Sequence, residues 1–326
     1  MKVFITGATG FIGGAVARKL LERGYTVACL VRAPNSILAH QLRAEGATLV
    51  QGDITEAETM REAMAGTDIV FHIAGWYKVG VVDPSPALPT NVKGTRTVLE
   101  LAQELGIPNI VYTSAAAVLG NTYGRTVDER YRRSAPFVTE YTRSKMLAYE
   151  IAQDFVAQGV PIRIVMPGGV YGPGDHSVLA LFLRAYLRGR LPIVVGADSG
   201  MTLAHVDDIA EGHILVGEKG EAGAKYILAG PTLTYGEMLR LVAKIAGRTP
   251  PFLLSSWPII PTLIQLTRLV NRFYSLSPTM HPETLQGMNR VTFWVSSARA
   301  ERELGWQSRP LVDGLEETIA WELSRR

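Results

Sequence analysis

The chain lacks several features that mark particular classes of protein. Its 326 residues contain a single cysteine, Cys29, so neither an intrachain disulfide nor a thiolate metal site is available, and this usage is typical of a reducing compartment. No signal-peptide hydrophobic region follows the N-terminus. No apolar run reaches the ~18 residues of a membrane span, since prolines and polar residues interrupt the nearest candidate, 257–270. We therefore expect a cytoplasmic protein without a membrane span.

Charge is also close to balanced. The sequence has 33 Lys and Arg against 30 Asp and Glu, and the resulting net charge of +3 is too small and too dispersed to indicate a nucleic-acid partner. Hydrophobic residues make up 47% and charged residues 19%, which is an ordinary globular mixture and argues against disorder or a coiled coil.

The first half of the chain alternates short apolar runs with helical patterns. Apolar residues recur at helical spacing over Phe11–Arg23, and Gly24 follows as a stop. Because the strand-like runs are apolar almost throughout, they predict a parallel sheet covered by helices on both faces. The fold class is thus α/β, a doubly wound parallel sheet. The predicted strands are Val3–Thr6, Tyr25–Val31, Ala47–Val50, Ile69–His72, Ile110–Thr113 and Pro161–Met166.

The second half has a looser pattern. Glycine and proline predict a long loop over Pro167–Asp175. We expect a first domain over 1–167 and a smaller, mostly helical substrate lobe over 168–326, with segments around 205–230 returning to the first sheet. The binding cleft would lie between the two. In the second lobe the patterns predict helices Leu179–Arg188, Tyr235–Ala246 and Ile259–Phe273, and strands Ile193–Val195, Tyr226–Leu228 and Val291–Val295.

A glycine-rich turn joins the first strand to the first helix. Gly7, Gly10 and Gly13 would let the backbone approach a pyrophosphate, whose charge then lies at the helix N-terminus. The spacing is G-x-x-G-x-x-G and departs from the G-x-G-x-x-G of the general dinucleotide fingerprint. The alternative is a glycine turn without a ligand, which the position at the first strand–helix junction disfavours.

The ends of the next two strands indicate which dinucleotide binds. Arg32 ends the second strand, where an acidic residue would bind the ribose of NAD and an arginine accommodates the 2′-phosphate of NADP. NADP is therefore favoured and NAD stays open, since Arg32 could also be a simple surface residue. Asp53 follows the third strand and could accept a hydrogen bond from the adenine amino group. Asp53 or Thr55 could cap the next helix, and the two roles of Asp53 are compatible.

Tyr141 and Lys145 lie four residues apart, on one face of a predicted helix. A phenol titrates near pH ~10 and becomes a useful acid–base group when a cation lowers its pKa. Lys145 can supply that charge while it holds the cofactor ribose. Such a pair is frequent on solvated helix faces, but here it follows both the glycine turn and the fifth strand, and this order favours a catalytic role.

Eight motifs now stand in one order along the chain. They are Thr6–Gly13, Asp53-Ile54, His72–Gly75, Asn91–Thr95, Tyr141 with Lys145, Pro167–Asp175, His205–Ala210 and Leu304–Trp306. With them the chain resembles, from end to end, an extended short-chain dehydrogenase/reductase of the NAD-dependent epimerase/dehydratase family. The resemblance implies a Rossmann domain, Tyr141 as proton donor and acceptor, and Lys145 as the residue that tunes it. The implied cofactor residues, including those argued above, are Gly7, Thr9, Gly10, Phe11, Ile12, Gly13, Arg32, Asp53, Ile54, Ile73, Ala74, Gly75, Asn91, Thr113, Tyr141, Lys145, Pro167, Gly168 and Val170.

One position departs from the family pattern. The family has a Ser or Thr near the end of the fifth strand, where its hydroxyl polarises the substrate carbonyl. Counted back from Gly120, that position is Ala115, and Ser114 would face the opposite way in an extended strand. Either the loop re-aims Ser114, or Thr113 serves, or the donor is absent. We name Ser114 as the third catalytic residue.

Three functions remain open at this point. The favoured one is an NADP-dependent oxidoreductase that transfers a hydride between the nicotinamide and a small carbonyl or secondary alcohol. The alternatives are a nucleotide-sugar epimerase with tightly bound NAD(P) and a non-catalytic NADP-binding regulator. Ala116 and Ala117 stand where dehydratases carry an Asp-Glu pair, and the apolar approach to His205 is similar to the dihydroflavonol-4-reductase-like branch. No metal is expected, and the resemblance allows a homodimer.

Overall fold

The structure is a computed structural model that describes residues 1–81, 83–133, 136–137, 139–255 and 259–325. Its strands are β1 (Lys2–Thr6), β2 (Thr26–Val31), β3 (Thr48–Gln51), β4 (Ile69–His72), β5 (Ile110–Thr113), β6 (Ile162–Pro167), β7 (Gly169–Tyr171), β8 (Ile193–Val195), β9 (Gly200–His205), β10 (Lys225–Leu228), β11 (Thr232–Thr234), β12 (Phe252–Leu254) and β13 (Thr292–Phe293). Its α-helices are α1 (Phe11–Glu22), α2 (Ile37–Ala44), α3 (Glu58–Met64), α4 (Gly94–Glu104), α5 (Glu140–Ala157), α6 (Val178–Leu187), α7 (Val206–Lys219), α8 (Tyr235–Ile245), α9 (Ile259–Asn271), α10 (Pro282–Gly287), α11 (Ala298–Leu304) and α12 (Leu311–Ser324). Short helical turns cover Pro89–Lys93, Ala116–Leu119 and Pro278–Met280.

Seven parallel strands form the central sheet, in the order β10-β6-β5-β4-β1-β2-β3. The chain crosses over between β3 and β4, so β1 and β4 are neighbours and pair from Val3 with Ile69 to Thr6 with His72. The connections after β1 and β4 lead to opposite sides, toward β2 and β5, so this is the switch point at which such sheets bind ligands. The predicted doubly wound sheet is confirmed, and each of the six strands predicted in the first half lies within one residue of its observed bounds.

Two apolar layers cover the sheet. On one face α1, α7 and α11 pack through residues such as Leu20, Ile214 and Leu304. On the other face α3, α4 and α5 pack through residues such as Met60 and Leu99. Since both faces of the strands are buried, the strands are apolar throughout rather than alternating.

The second half adds smaller sheets and a third apolar cluster. The predicted loop after Pro167 is wrong in part, because β7 lies inside it and pairs in parallel with β9, which also pairs with β11 and β13. Gly169, whose added Cβ would lie 2.5 Å from Met201 Sδ, makes this close pairing sterically accessible. β8 and β12 pair separately. β10 joins the central sheet beside β6, whereas the division into two domains at residue 167 stays a prediction.

Two predicted elements of the second half differ from the observed ones by more than one residue at an end. The strand predicted over Val291–Val295 is shortened to β13, and the helix predicted to Phe273 ends at Asn271. Trp257 and Pro258, at the start of the apolar run, lie outside the described residues. Across the described ranges, no helix combines the length and the apolar character that crossing a membrane requires.

Candidate active site

The glycine turn is built by steric necessity. Gly7 has a φ of +82°, and an added Cβ there would lie 2.6 Å from the Ala74 backbone nitrogen. At Gly13 an added Cβ would lie 2.1 Å from the Gly7 carbonyl oxygen. Helix α1 then begins after Gly10, without a side-chain cap and without an acidic residue in its first turn. The exposed N–H groups of this helix end could hold a phosphate group.

The end of the sheet at β2 and β3 carries a cation and an anion. Arg32 is exposed directly after β2. Burial opposes ionisation of Asp53, but hydrogen bonds from the Thr55 N–H and hydroxyl, with the charges of Arg32 and Lys93, hold the pKa of Asp53 below its ordinary value. The alternative helix-capping role of Asp53 and Thr55 is wrong, because α3 begins only at Glu58 and its N-cap, Ala57, makes no side-chain bond.

A buried polar network supports the loop after β4. His72 is hydrogen-bonded to the Thr6 hydroxyl (2.8 Å) and the Thr95 hydroxyl (3.0 Å), and burial lowers its pKa to about 3. The Thr6 hydroxyl also accepts the Ala74 N–H. A neutral histidine therefore ties β1, β4 and α4 together beneath Ile73–Gly75.

Asn91 connects this loop to α5. It lies in a π-helical turn, and its Oδ1 accepts the Trp76 N–H at 2.7 Å. Its Nδ2 donates to the Trp76 carbonyl at 3.0 Å and to the Ser144 hydroxyl at 2.9 Å. The side chain is thus occupied by protein partners, so the structure supports a positioning role, and cofactor contact by Asn91 stays a prediction.

Lys145 is buried behind the loop after β4. Its Nζ donates to the Thr113 carbonyl at 2.7 Å, and an added Cβ on Gly75 would lie 3.7 Å from the same nitrogen. Burial lowers the pKa of Lys145 to about 8. The ammonium therefore faces the junction of β4, β5 and α5, where a ribose could reach it.

Tyr141 sits at the start of α5 with its ring edge against Tyr77, at a centroid distance of 4.8 Å. The expectation that Lys145 lowers the pKa of Tyr141 is wrong for this structure. Burial raises the pKa of Tyr141, and the neighbouring Tyr77 and Tyr112 raise it further. The physical reason is that the Lys145 ammonium is directed to a backbone carbonyl while the phenol lies among other phenols.

The three successive side chains at the end of β5 lie in three different environments. His213 Nδ1 donates to the Ile209 carbonyl, so the Nε2 of the neutral ring is an acceptor, and the Thr113 hydroxyl donates to it at 3.0 Å. The Thr113 hydroxyl is therefore not available to donate to a substrate carbonyl. The Ser114 hydroxyl is buried beside the Tyr112 hydroxyl. Ala115 reaches the cavity beside Tyr141. The catalytic role of Ser114 stays a prediction that this direction does not favour.

The cavity holds about 1250 Å³ of space, counted out to its open mouth. It lies between the ends of β5 and β6 and the second lobe, with Tyr141 at one side. Its described lining includes no lysine or arginine, so the arginines that the sequence concentrates around α5, namely Arg125, Arg130, Arg132, Arg133 and Arg143, are not among the described wall residues. The apolar part of the wall consists of Val79, Ala115, Ala116, Ala117, Pro167, Val170, Val178, Leu179, Phe182, Val194, Met201, Met238, Leu239, Met288 and Phe293.

Sequence reasoning did not identify which residues from the second half of the chain line this cavity. Glu283 on α10 lines it, and its carboxylate accepts the Gly80 N–H and the Glu140 N–H, both at 3.3 Å. Tyr235, at the start of α8, lines it as well. No local signal identifies these residues, because they come within reach of α5 only through packing between the two halves of the chain.

His205 has a structural role at the start of α7. It is buried, its Nδ1 accepts the Asp207 N–H, and it caps α7. Asp207 and Glu317 lie near its ring nitrogens, and Arg309 forms ion pairs with both carboxylates. The guanidinium therefore offsets part of the negative charge of this cluster.

The fold and the site together define an NAD(P)-dependent enzyme of the extended short-chain dehydrogenase/reductase class. The chain belongs to the NAD dependent epimerase/dehydratase family, whose family model matches residues 3–229. Cinnamoyl-CoA reductase 1 of Oryza sativa subsp. japonica is 32% identical over 267 residues, which are 76% of this chain and 77% of the relative.

Two further comparisons extend over nearly the whole chain. A 3 beta-hydroxysteroid dehydrogenase/Delta 5-->4-isomerase of Mycobacterium tuberculosis is 28% identical over 324 residues, with 94% of this chain and 86% of the relative covered. The crystal structure of gox2253 is similar with a TM-score of 0.85 and 33% identity, and covers 99% of this chain and 98% of that one. The fold similarity thus includes the second lobe.

Proposed function

We propose that the protein transfers a hydride between NADP and the carbonyl or secondary alcohol carbon of a small apolar substrate. The observation that carries this proposal is the position of the Tyr141 phenol, which opens into an apolar cavity with Lys145 one helical turn behind it. Pro167, Gly168 and Val170, which the family resemblance puts beside the nicotinamide, line the same cavity. The substrate carbon would thus lie between them and Tyr141.

Individual residues of the chain would have separate roles in this hydride transfer. When bound, the nicotinamide supplies the hydride in reduction and accepts it in oxidation. Negative charge develops on the carbonyl oxygen during reduction, and Tyr141 donates its proton there. Because burial raises its pKa, Tyr141 keeps that proton at neutral pH until the charge develops. Lys145, whose ammonium faces the junction of β4, β5 and α5, holds the ribose.

The glycine turn and Arg32 support a 2′-phosphorylated dinucleotide. Gly7 and Gly13 permit the tight backbone turn before α1, since an added Cβ at either would collide with backbone atoms, and the helix end carries no acidic side chain in its first turn. Arg32 is exposed at the end of β2, where a phosphate could pair with its guanidinium. The chain thus fits NADP, and Asp53 with its lowered pKa would accept from the adenine amino group.

Substitution of Tyr141 tests the mechanism. Tyr141→Phe keeps the ring but removes the transferable proton, so turnover of a panel of apolar ketones and aldehydes with NADPH should fall about 10²–10⁴-fold. NADPH binding, measured by nicotinamide fluorescence, should be unchanged. Lys145→Ala should lower turnover and weaken NADPH binding. Tyr77→Phe is the matched control, since it removes a neighbouring phenol; loss of turnover in Tyr77→Phe alone would refute the assignment.

Cofactor choice is tested at Arg32. Arg32→Asp removes the partner of the 2′-phosphate and introduces a repelling carboxylate, so NADP binding should weaken by about 1.5–3 kcal/mol while NAD binding changes little. Isothermal titration with both dinucleotides measures this. Equal dissociation constants for NADP and NAD in the parent protein would contradict the proposal.

The cavity wall argues against the epimerase alternative. A nucleotide-sugar carries a pyrophosphate, which commonly pairs with arginine or lysine, and the described wall offers neither. The dinucleotide content of the purified protein discriminates further: tightly held NAD would favour an epimerase, and readily exchanged NADP the reductase. A regulator without activity would bind NADPH yet turn over no member of the panel.

A further inference from the structure

One stretch of the chain carries charge of a single sign. Residues 238–282 contain no Asp or Glu, although an average stretch of that length in this sequence would hold about four. The same stretch contains Arg240, Lys244, Arg248, Arg268 and Arg272. It runs from α8 through β12 and α9 to the start of α10. An otherwise balanced protein therefore has one strongly basic segment in its second lobe.

Within this segment α9 exposes large apolar side chains. Ile260 and Ile264 are buried in the third apolar cluster. The opposite face carries Leu266 and Leu269, which are each 56% exposed, and Phe273, in the turn that follows α9, is 76% exposed. Burial of the inner face explains why α9 folds here, whereas nothing in the described structure covers the outer face.

Two arginines border this apolar surface. Arg268 on α9 and Arg272 in the turn after it are both exposed, beside the stripe of Leu266, Leu269 and Phe273. An apolar stripe with a basic border is the pattern of a helix that lies in the plane of a membrane interface. Anionic head groups attract such a border, at about 1 kcal/mol for each Lys or Arg near the surface.

This face lies close to the wall of the active-site cavity. α9 packs against α10, and Asn271, at the end of α9, is hydrogen-bonded to His281 at 3.3 Å. α10 in turn supplies Glu283 and Thr284 to the cavity. A surface that holds α9 would therefore hold the substrate cavity near the same interface.

We propose that the outer face of α9 docks the protein onto an anionic lipid bilayer, with Leu266, Leu269 and Phe273 inserted among the head groups. A second copy of the chain is the competing occupant. Charge disfavours it, because a two-fold contact through this face would bring Arg268 and Arg272 of both copies together, and α9 contributes no Asp or Glu to that contact. This docking does not depend on the proposed reaction.

Vesicle sedimentation with the full chain tests the proposal. The protein should sediment with vesicles of phosphatidylcholine containing phosphatidylglycerol at least about 10-fold more strongly than with phosphatidylcholine alone, and high salt should weaken this binding. Arg268→Gln with Arg272→Gln should lower the affinity about 30-fold, from about 5-fold for each arginine. Leu266→Gln, Leu269→Gln and Phe273→Gln together should lower it at least about 100-fold.

Matched controls separate docking from general stickiness and from misfolding. Ile37, which is 78% exposed, and its neighbour Leu38 lie on α2, and Ile37→Gln with Leu38→Gln should bind vesicles like the parent. All variants should keep the parent's unfolding midpoint and NADPH binding. Equal binding by the parent and the α9 triple variant would overturn the proposal. So would a lipid-free dimer of the parent that the triple variant converts to a monomer, since the face would then be a protein interface.

Discussion

At the scale of single residues, the direction of each side chain at the end of β5 decides what it can do. Thr113 is paired with His213, Ser114 is buried beside Tyr112, and Ala115 faces the cavity with Tyr141. A hydroxyl that would polarise a substrate carbonyl is therefore missing at the position that faces the substrate. Tyr141 is left as the hydroxyl that the proposed mechanism uses.

The missing hydroxyl can be restored. Ala115→Ser should raise turnover, by as much as the 10²–10³-fold that one such donor contributes (about 3–4 kcal/mol), while Ser114→Ala should change it little. Steady-state kinetics on the best ketone of the panel measures both. Ala117→Ser, which adds a hydroxyl elsewhere on the same wall, should not reproduce the gain. A large loss in Ser114→Ala would show that Ser114 reaches the substrate after all.

At the scale of elements, the glycine turn couples the start of α1 to the loop after β4. Gly13 lies on the first turn of α1 with its Cα facing the Gly7 carbonyl, and Gly7 packs on Ala74. These contacts join three segments whose order in the sheet puts them at the switch point. A side chain at either glycine must move backbone, because the obstructing atoms are not flexible side-chain ends.

Gly13→Ala is therefore expected to destabilise the fold by about 1–3 kcal/mol and to weaken NADP binding with it. Chemical unfolding measures the change in the free energy of unfolding, and dinucleotide titration measures the change in NADP affinity. Gly287→Ala on α10 is the comparison, since its added Cβ meets nothing within 4 Å. Alanine there should stabilise the helix by up to about 1 kcal/mol. Similar losses in both variants would mean that the contact at Gly7 is not the cause.

At the scale of the whole molecule, two buried histidines make the fold sensitive to acid. His72 joins β4 to β1 and α4, and His213 joins α7 to β5. Burial lowers the pKa of His72 to about 3 and that of His213 to about 4. Both stay neutral in the folded protein, while the unfolded chain binds protons below pH ~6.5.

The free energy of unfolding should consequently be largest above pH ~6.5 and should fall as the pH drops toward 4, with about 3 kcal/mol of the loss due to His213. Urea unfolding between pH 7.5 and 4 measures the slope. His213→Gln should be less stable at neutral pH but should lose less on acidification. The exposed His40 serves as control, and a His213→Gln slope equal to that of His40→Gln would contradict this assignment.

Much of this protein could be predicted from local pattern. Apolar runs such as Val3–Thr6 and Ile69–His72 identify buried parallel strands because a strand covered on both faces admits no alternation. The glycine turn, Arg32 and the Tyr141–Lys145 spacing are likewise local, since each depends on residues within one strand–helix junction or one helical turn. These patterns determined the fold class, the family and the principal candidate residues.

Tertiary structure alone decided the rest. The pairing of β7 with β9, the approach of Glu283 to the start of α5 and the apolar wall opposite Tyr141 join segments about 30 to 150 residues apart. The pKa of Tyr141 depends on burial and on Tyr77 and Tyr112, which a four-residue spacing to Lys145 cannot reveal. Local periodicity specifies which face of an element is apolar, but the environment of a side chain is the sum of what other elements bring to it.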